Sequence, residues 1–586
     1  MKRLLTVIAF SGAIGAAALA DNLEGFAYGN ESAPTGKEWE NPEALSLNKL
    51  QPRAWTFHFA DEQSAKSVLP ETSSFHKSLD GVWKFHWVAK PSDRPEKFYE
   101  TAYDVTNWDD IEVPGCWNVQ GLGKHGEMKY GVPAYVNQPV MFYHEVRVDD
   151  WKGGVMREPK DKRFTTYKYP NEVGSYRRVF TVPTEWKGRN IIINFDGVDS
   201  FFYLWINGKY IGFSKNSRNT ASFDITPYVT LGAENIVAVE VYRHSDGSFL
   251  EAQDMFRLPG IFRSTYLTST PKVEINDLAV RTESISGQSP VIKVDMDIKD
   301  AGKKLQKEYN YTLKVYPVKL YSDEIAGEAI ATLSGKSDKA GHETLSLALP
   351  GARQWNAEEP YRHILVAQLT DKKGKTIDCV STFFGVCKVE IRDTPASEDE
   401  FGKAGRYLYV NNMPVKLKGV NRHETSLDRG HAIKREQMLE VVFIMKRGNI
   451  NHIRMSHYSN DPYMYYLCDK YGIYLEDECN IESHEYYYGD ASLSHVKEFR
   501  AAHVARNMEM VKAHVNAPSI VIWSLGNEAG PGDNFVASYK AIKAFDPRPV
   551  QYERNNDIVD MGSNQYPSVG WVRYAVQGTD KGIKYP

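Results

Sequence analysis

The alternation of apolar and polar positions changes texture along this chain. From Leu79 to about Leu267 the apolar residues recur in short period-two runs, such as Gly81-Val82-Trp83-Lys84-Phe85-His86-Trp87, separated by turn residues. Runs of this kind predict half-buried strands. The run 190–195 leads through Asp196-Gly197 to the apolar run 201–205, and Asn207-Gly208 then supplies the strongest short hairpin signal. This stretch predicts a jelly-roll β-sandwich. A charged insert at about 149–171 interrupts it and reads as a surface loop. From Pro271 a second β region begins, with strands predicted at 291–298, 311–315 and 363–369. Its length and texture suit an immunoglobulin-like sandwich.

Near Val389 strand-like and helix-like patterns start to alternate. Strands are predicted at 415–420, 451–455, 473–479, 519–525, 550–552 and 560–564, and helices at 434–447, 461–471, 497–515 and 534–545. Repeated βα units predict a parallel sheet, here part of a (β/α)8 TIM barrel. The expected fold class is therefore multidomain β plus α/β: a jelly-roll β-sandwich, an immunoglobulin-like β-sandwich, then an incomplete TIM barrel with about six of its eight strands. The expected division is a signal peptide at 1–20, a leader at 21–60, the jelly roll at 61–270, the second sandwich at 271–388 and the barrel part at 389–586. Closure is what removes the edges of a barrel, so the isolated chain is expected to be marginal or aggregation-prone.

Composition narrows the function class. A chain of 586 residues with 42% hydrophobic and 25% charged residues is globular and too long for one domain. Its formal net charge of −4 gives no reason to expect nucleic acid or an anionic membrane as partner. Lys2 and Arg3, the apolar run 4–17 and Ala18-Leu19-Ala20 form the three parts of a secretory signal. The expectation is export, to the periplasm or the medium. The apolar run is short and broken by Ser11, Gly12 and Gly15, which argues against a permanent span, and no later segment is apolar enough to cross a membrane. The five cysteines are scattered without C-x-x-C spacing and read as core thiols.

Four predicted barrel strands end in polar clusters: Asn421-Arg422-His423-Glu424; Arg454 with Ser456-His457-Tyr458; 477–484, containing Asp477, Glu478, Asn480, Glu482 and His484; and Asn527-Glu528. Barrel active sites form at that face, and a carboxylate there is well placed for acid/base work. Glu482 and His484 stand two apart, so an extended backbone points both to one side. That spacing does not name a metal: magnesium and zinc are both compatible with it, and so is a simple hydrogen-bonded pair.

With these motifs in view the chain resembles glycoside hydrolase family 2, and within it the long β-galactosidases. The resemblance rests on G-V-N-R-H-E at 419–424, R-M-S-H-Y at 454–458, D-E-C-N-I-E-S-H at 477–484 and W-S-L-G-N-E at 523–528. It also rests on P-A-Y-V-N-Q-P at 133–139 and S-D-G-S-F-L-E-A-Q-D-M-F-R-L-P-G-I-F-R at 245–263. It implies a retaining mechanism on terminal β-D-galactosides, with a sugar-binding role for the jelly roll. Glu528 matches the acid/base residue, and Asn527 the residue that bonds the sugar 2-hydroxyl. Asn137, Asp254, His423, His457 and Tyr566 match substrate-binding positions. Glu482, His484 and Glu528 match Mg2+ ligands, and Asp254 a sodium contact whose site is incomplete in this sequence. After His484 the chain reads Glu485-Tyr486-Tyr487-Tyr488, where the family carries a glycine.

The family's nucleophile motif, E-Y-A-H-x-M-G-N, has no match, and Glu553 is the last glutamate. The chain is therefore expected to be truncated before the nucleophile and inactive alone, since the covalent route needs that carboxylate. The partners expected are a β-galactoside oligosaccharide or glycan and either a second copy of the chain or a C-terminal complementing chain. Two alternatives stand beside this reading: a β-glucuronidase or β-mannosidase of the same family, and a non-catalytic sugar-binding or complementing module.

Overall fold

The computed structural model describes residues 33–136, 145–147, 150–152, 171–301, 309–337, 341–399, 402, 404–484, 492–553, 558–563 and 565–576. The signal-like 1–20, most of the charged insert, Asn137 and 485–488 lie outside the described residues.

Alternating residues build the first sandwich. A seven-stranded antiparallel sheet packs on a four-stranded one. Trp83, Tyr176, Ile193, Phe202, Leu204, Val239 and Leu267 fill the space between them. The hairpin Phe201–Ile206 to Lys209–Ser214 turns at Asn207 and Gly208, whose φ values of 50° and 77° meet the positive-φ demand of a two-residue turn. The second sandwich pairs a three-stranded sheet with a five-stranded one around Leu278, Val294, Leu313, Leu365 and Val380.

The leader is more than irregular chain. Ser46–Leu47 pairs with Lys209–Ser214 of the first sandwich, and Phe57–His58 pairs with Thr376–Phe384 of the second. His58 Nδ1 lies 2.9 Å from the buried Asp378 carboxylate and secures the second contact. Two-residue strands have no period to read, which is why the sequence pattern passed over them.

The third region is a parallel sheet with helices: β1 (Gly419–Arg422), α1 (Arg435–Arg447), β2 (His452–Met455), α2 (Pro462–Tyr471), β3 (Tyr474–Glu478), α3 (Arg500–His514), β4 (Ile520–Ser524), α4 (Asp533–Phe545), β5 (Val550–Gln551) and α5 (Val569–Val576). The five strands pair in sequence order, all parallel. Local chemistry sets the boundaries. Asp461 caps α2 by accepting Tyr463 N–H at 2.9 Å, Pro462 occupies the first turn, and Gly472 ends the helix at φ 75°.

The predicted sixth strand, 560–564, does not form. Its described residues make a single parallel bridge, Gln551 to Met561, and no strand. The Asp560 carboxylate accepts the Val550 N–H at 2.9 Å and meets Lys543 and Tyr539, and the Asp560 N–H donates to Val550 O at 2.9 Å, so this residue ties the segment to the end of β5 by side chain and backbone. Among the described residues no helix is long and apolar enough to cross a membrane. The five cysteines are unpaired and four are buried.

Candidate active site

β4 is buried along its length, and beyond it the backbone turns at Gly526, whose φ is 145°. A Cβ there would stand 2.5 Å from Ile481 O, so glycine is required. The turn brings Asn527 N–H to Ile481 O at 2.9 Å and Glu528 O to His484 N–H at 2.9 Å. The strand ends after β3 and β4 are thereby joined. Glu528 and His484 both adopt the left-handed region, at φ 29° and 39°. Strain at two adjacent polar positions is characteristic of a site held for function.

Glu528 Oε2 lies 2.8 Å from His484 Nε2, and His484 Nδ1 lies 2.8 Å from Ala252 O and 3.0 Å from Glu482 Oε1. Glu482 is fully buried, and neither of its oxygens accepts a well-formed hydrogen bond. Burial pushes its carboxyl up, against the nearby His457 and His484. Burial opposes protonation of His484, but the Glu528 hydrogen bond and the Glu482 charge outweigh it and lift the imidazole to about 9. One donor atom from each of Glu482, His484 and Glu528 falls within 4.8 Å of the others, and this oxygen-rich set fits a small divalent cation.

A second cluster centres on Arg454 at the end of β2. Its Nε donates to Glu478 Oε2 at 2.8 Å, and an Nη donates to Glu478 Oε1 at 2.9 Å and to Asn527 Oδ1 at 3.0 Å. Glu478 also meets His457 Nδ1 at 2.6 Å and Ser524 Oγ at 2.6 Å. Burial would raise Glu478, but Arg454 and His457 outweigh it and hold the carboxylate ionised. Glu476, on the same face of β3, is raised by burial and by the Glu478 charge. Gln551 donates to it at 2.5 Å.

His423 stacks edge-on to His457 with centroids 5.3 Å apart, and its Nδ1 lies 3.3 Å from Tyr458 OH. Burial, with help from His457 and Arg218, lowers it to about 4, so the ring is neutral near pH 7. Asp254 enters from the jelly roll and accepts a hydrogen bond from Tyr135 OH. Its neighbour Gln253 donates to Asn480 Oδ1 at 2.9 Å and to His457 O at 3.4 Å. A cavity of about 370 Å3 opens over these strand ends, lined by Asn421, Arg454, His457, Glu476, Gln551 and Tyr566 among others. Tyr566 is 86% exposed at its rim, and the adjacent Gln565 donates to Asn527 Oδ1 at 3.0 Å. Glu553, after β5, is buried and lines the same cavity.

Comparison with known proteins supplies the family. The sugar binding domain of glycosyl hydrolases family 2 matches residues 76–271, a model described simply as glycosyl hydrolases family 2 matches 273–386, and the family's TIM barrel domain matches 403–577. The chain belongs to glycosyl hydrolases family 2. Among similar curated proteins, a beta-galactosidase of Priestia megaterium (strain DSM 319 / IMG 1521) is 35% identical over 562 residues, which cover 93% of this chain and 51% of that protein. A beta-galactosidase of Psychromonas ingrahamii (strain DSM 17664 / CCUG 51855 / 37) is 34% identical over 523 residues, covering 88% and 46%. This family-2 chain thus spans about half the length of the curated relatives it matches. Its fold is shared with a Bacteroides uniformis beta-glucuronidase, at a TM-score of 0.65 and 20% identity over 86% of this chain and 57% of that one. A Bifidobacterium dentium beta-glucuronidase matches at 0.64 and 20%, over 83% and 75%.

The structure gathers Glu482, His484 and Glu528 in one cluster and ties Asn527, His457 and His423 to the Arg454 cluster beside it. Asp254 sits next to both through its loop, Tyr566 stands at the cavity rim, and Asn137 is outside the described residues. Reading the sequence left Arg454, Glu478, Gln551 and Gln565 out of the predicted site. Arg454 and Glu478 lay within the polar strand ends, but the bidentate contact between them has no spacing that a linear sequence displays.

Proposed function

We propose that this family-2 glycosidase is a retaining hydrolase of the β-galactosidase type, removing terminal non-reducing β-D-galactose in carbohydrate breakdown. The observation that carries the reading is the setting of Glu528. It stands at the C-terminal mouth of a parallel sheet, next to an asparagine that Arg454 holds at 3.0 Å. In this role Glu528 gives its proton to the glycosidic oxygen as that bond breaks, then takes one from the water that releases the sugar. Asn527 meets the sugar 2-hydroxyl. His423, neutral near pH 7, and His457, with Asp254, Asn137 and Tyr566, bind the remaining sugar face. The specificity rests on relatives at 33–35% identity that bear the name beta-galactosidase.

Glu482, His484 and Glu528 would hold Mg2+, which when bound supplies fixed positive charge beside the acid/base carboxylate. Retention needs a second carboxylate about 5 Å from the first. Glu478 is a poor candidate, because Arg454, His457 and Ser524 already occupy it. We assign the nucleophile to a segment of the E-Y-A-H-x-M-G-N type, which none of the 586 residues matches. The signal-like 1–20 supports export to the periplasm or medium.

The test uses this chain joined to a family segment carrying that motif, with a panel of nitrophenyl glycosides. Galactoside should be cleaved, and Glu528→Gln should lower kcat by about 10²–10⁴-fold. Cleavage of glucuronide or mannoside without galactoside overturns the specificity. Robust galactoside turnover by the 586-residue chain alone overturns the assignment of the nucleophile.

A further inference from the structure

The jelly roll supplies a backbone strand to the Glu482–His484 segment. Glu482 N–H donates to Leu250 O at 2.6 Å, and Ala252 N–H donates to Glu482 O at 2.8 Å. Residues 250–252 thus lie beside Glu482 as a short parallel strand from another domain. Ala252 O then takes the His484 Nδ1 hydrogen, which turns Nε2 toward Glu528.

The residue between those contacts, Glu251, sends its side chain elsewhere. Its Oε1 accepts from Arg506 of α3, and its Oε2 accepts from Ser217 of the jelly roll. The same guanidinium reaches Asn216 Oδ1 at 3.3 Å and Asn480 O at 3.5 Å. Arg506 is 4% exposed and Glu251 8%, so the pair is dry. Removing either partner strands a buried charge next to the 250–252 strand.

We propose that Glu251 and Arg506 are positioning residues for the cation site. They lock 250–252 against the barrel, so that the Ala252 carbonyl fixes the ring of His484 and the paired backbone fixes Glu482. The inference rests on the reading that Glu482, His484 and Glu528 hold a divalent cation. Outer groups that orient a histidine ligand commonly govern metal affinity by about 10–100-fold.

The test measures Mn2+ binding to the full chain by the loss of its free-ion electron paramagnetic resonance signal, with Mg2+ as competitor. The wild-type chain should take up one competable Mn2+. Glu251→Gln and Arg506→Met should each raise Kd by about 10–100-fold. The double variant should cost no more than the worse single one, because both remove the same link. No uptake by wild type brings down the cation reading itself. Uptake by wild type with an unchanged Kd in the variants, whatever their melting temperatures, overturns the positioning role alone. If the variants fail to fold, amide exchange in the wild type decides. Mn2+ should slow exchange in the jelly-roll peptide covering 250–254, and exchange there that ignores the ion overturns the proposal.

Discussion

Arg454 ties the end of β3 to the turn after β4. It neutralises a fully buried carboxylate, Glu478, and holds Asn527 beside Glu528. Arg454→Met should therefore destabilise the barrel region, by up to about 3–5 kcal/mol, because the buried Glu478 loses its guanidinium and keeps only His457 and Ser524. Adding Glu478→Gln should recover part of that loss, because the stranded charge is gone. Urea unfolding followed by tryptophan fluorescence measures both; a single variant as stable as wild type would contradict the role given to the pair. At this scale the sequence was informative about residue types and silent about partners. Strand-end position marked Glu528, Glu482 and His484 as candidates. The fully buried, weakly satisfied state of Glu482 follows from a loop of another domain, and no local pattern announces it.

Elements were legible where a period or a turn demanded particular residues. Asn207-Gly208 implied its hairpin because the turn needs positive φ twice, and both residues have it. The βα alternation after Val389 implied the parallel sheet. Segment 560–564 misled because its backbone contact with β5 is confined to two residues: Asp560 N–H donates to Val550 O at 2.9 Å and Met561 bridges to Gln551, too short a pairing to make a strand. The join of β3 to β4 yields a test of its own. Gly526→Ala would place a Cβ 2.5 Å from Ile481 O at φ 145°. Relief requires moving the backbone that carries both Asn527 and Glu528. The variant should lose about 1–3 kcal/mol, the range for a strained backbone position. It should also bind Mn2+ more weakly, since Glu528 moves with the turn. Thermal melting and the same resonance titration check both effects, and an alanine tolerated without change in either would remove the steric argument.

Buried ion pairs cross the boundary between jelly roll and barrel, and there the sequence is least informative. Asp196-Gly197 reads in one dimension as a turn between two strands. In three dimensions Asp196 is buried against Tyr266 and Thr220, which donate to it at 3.1 and 2.9 Å. It shares a cavity of about 400 Å3 between jelly roll and barrel with Asp461, the cap of α2, and with the Arg263–Glu424 pair. Burial first, and then the Asp461 charge, push Asp196 up to about 7; Thr220, Tyr266 and Arg263 oppose the shift without cancelling it. A carboxyl raised on folding favours the native state in its protonated form. Its contribution is complete below the unfolded value of about 4, falls away between there and about 7, and stays lost above. Asp196→Asn keeps an oxygen for both donors and cannot ionise. Relative to wild type the variant should therefore gain stability as pH rises from 4 to 8, by up to about 4 kcal/mol before the polar cavity's screening reduces it. Melting temperatures of the two proteins should nearly coincide at pH 4, and the variant should melt several degrees higher at pH 8. Parallel curves across that range would mean that the contact between jelly roll and barrel carries no strained charge at Asp196.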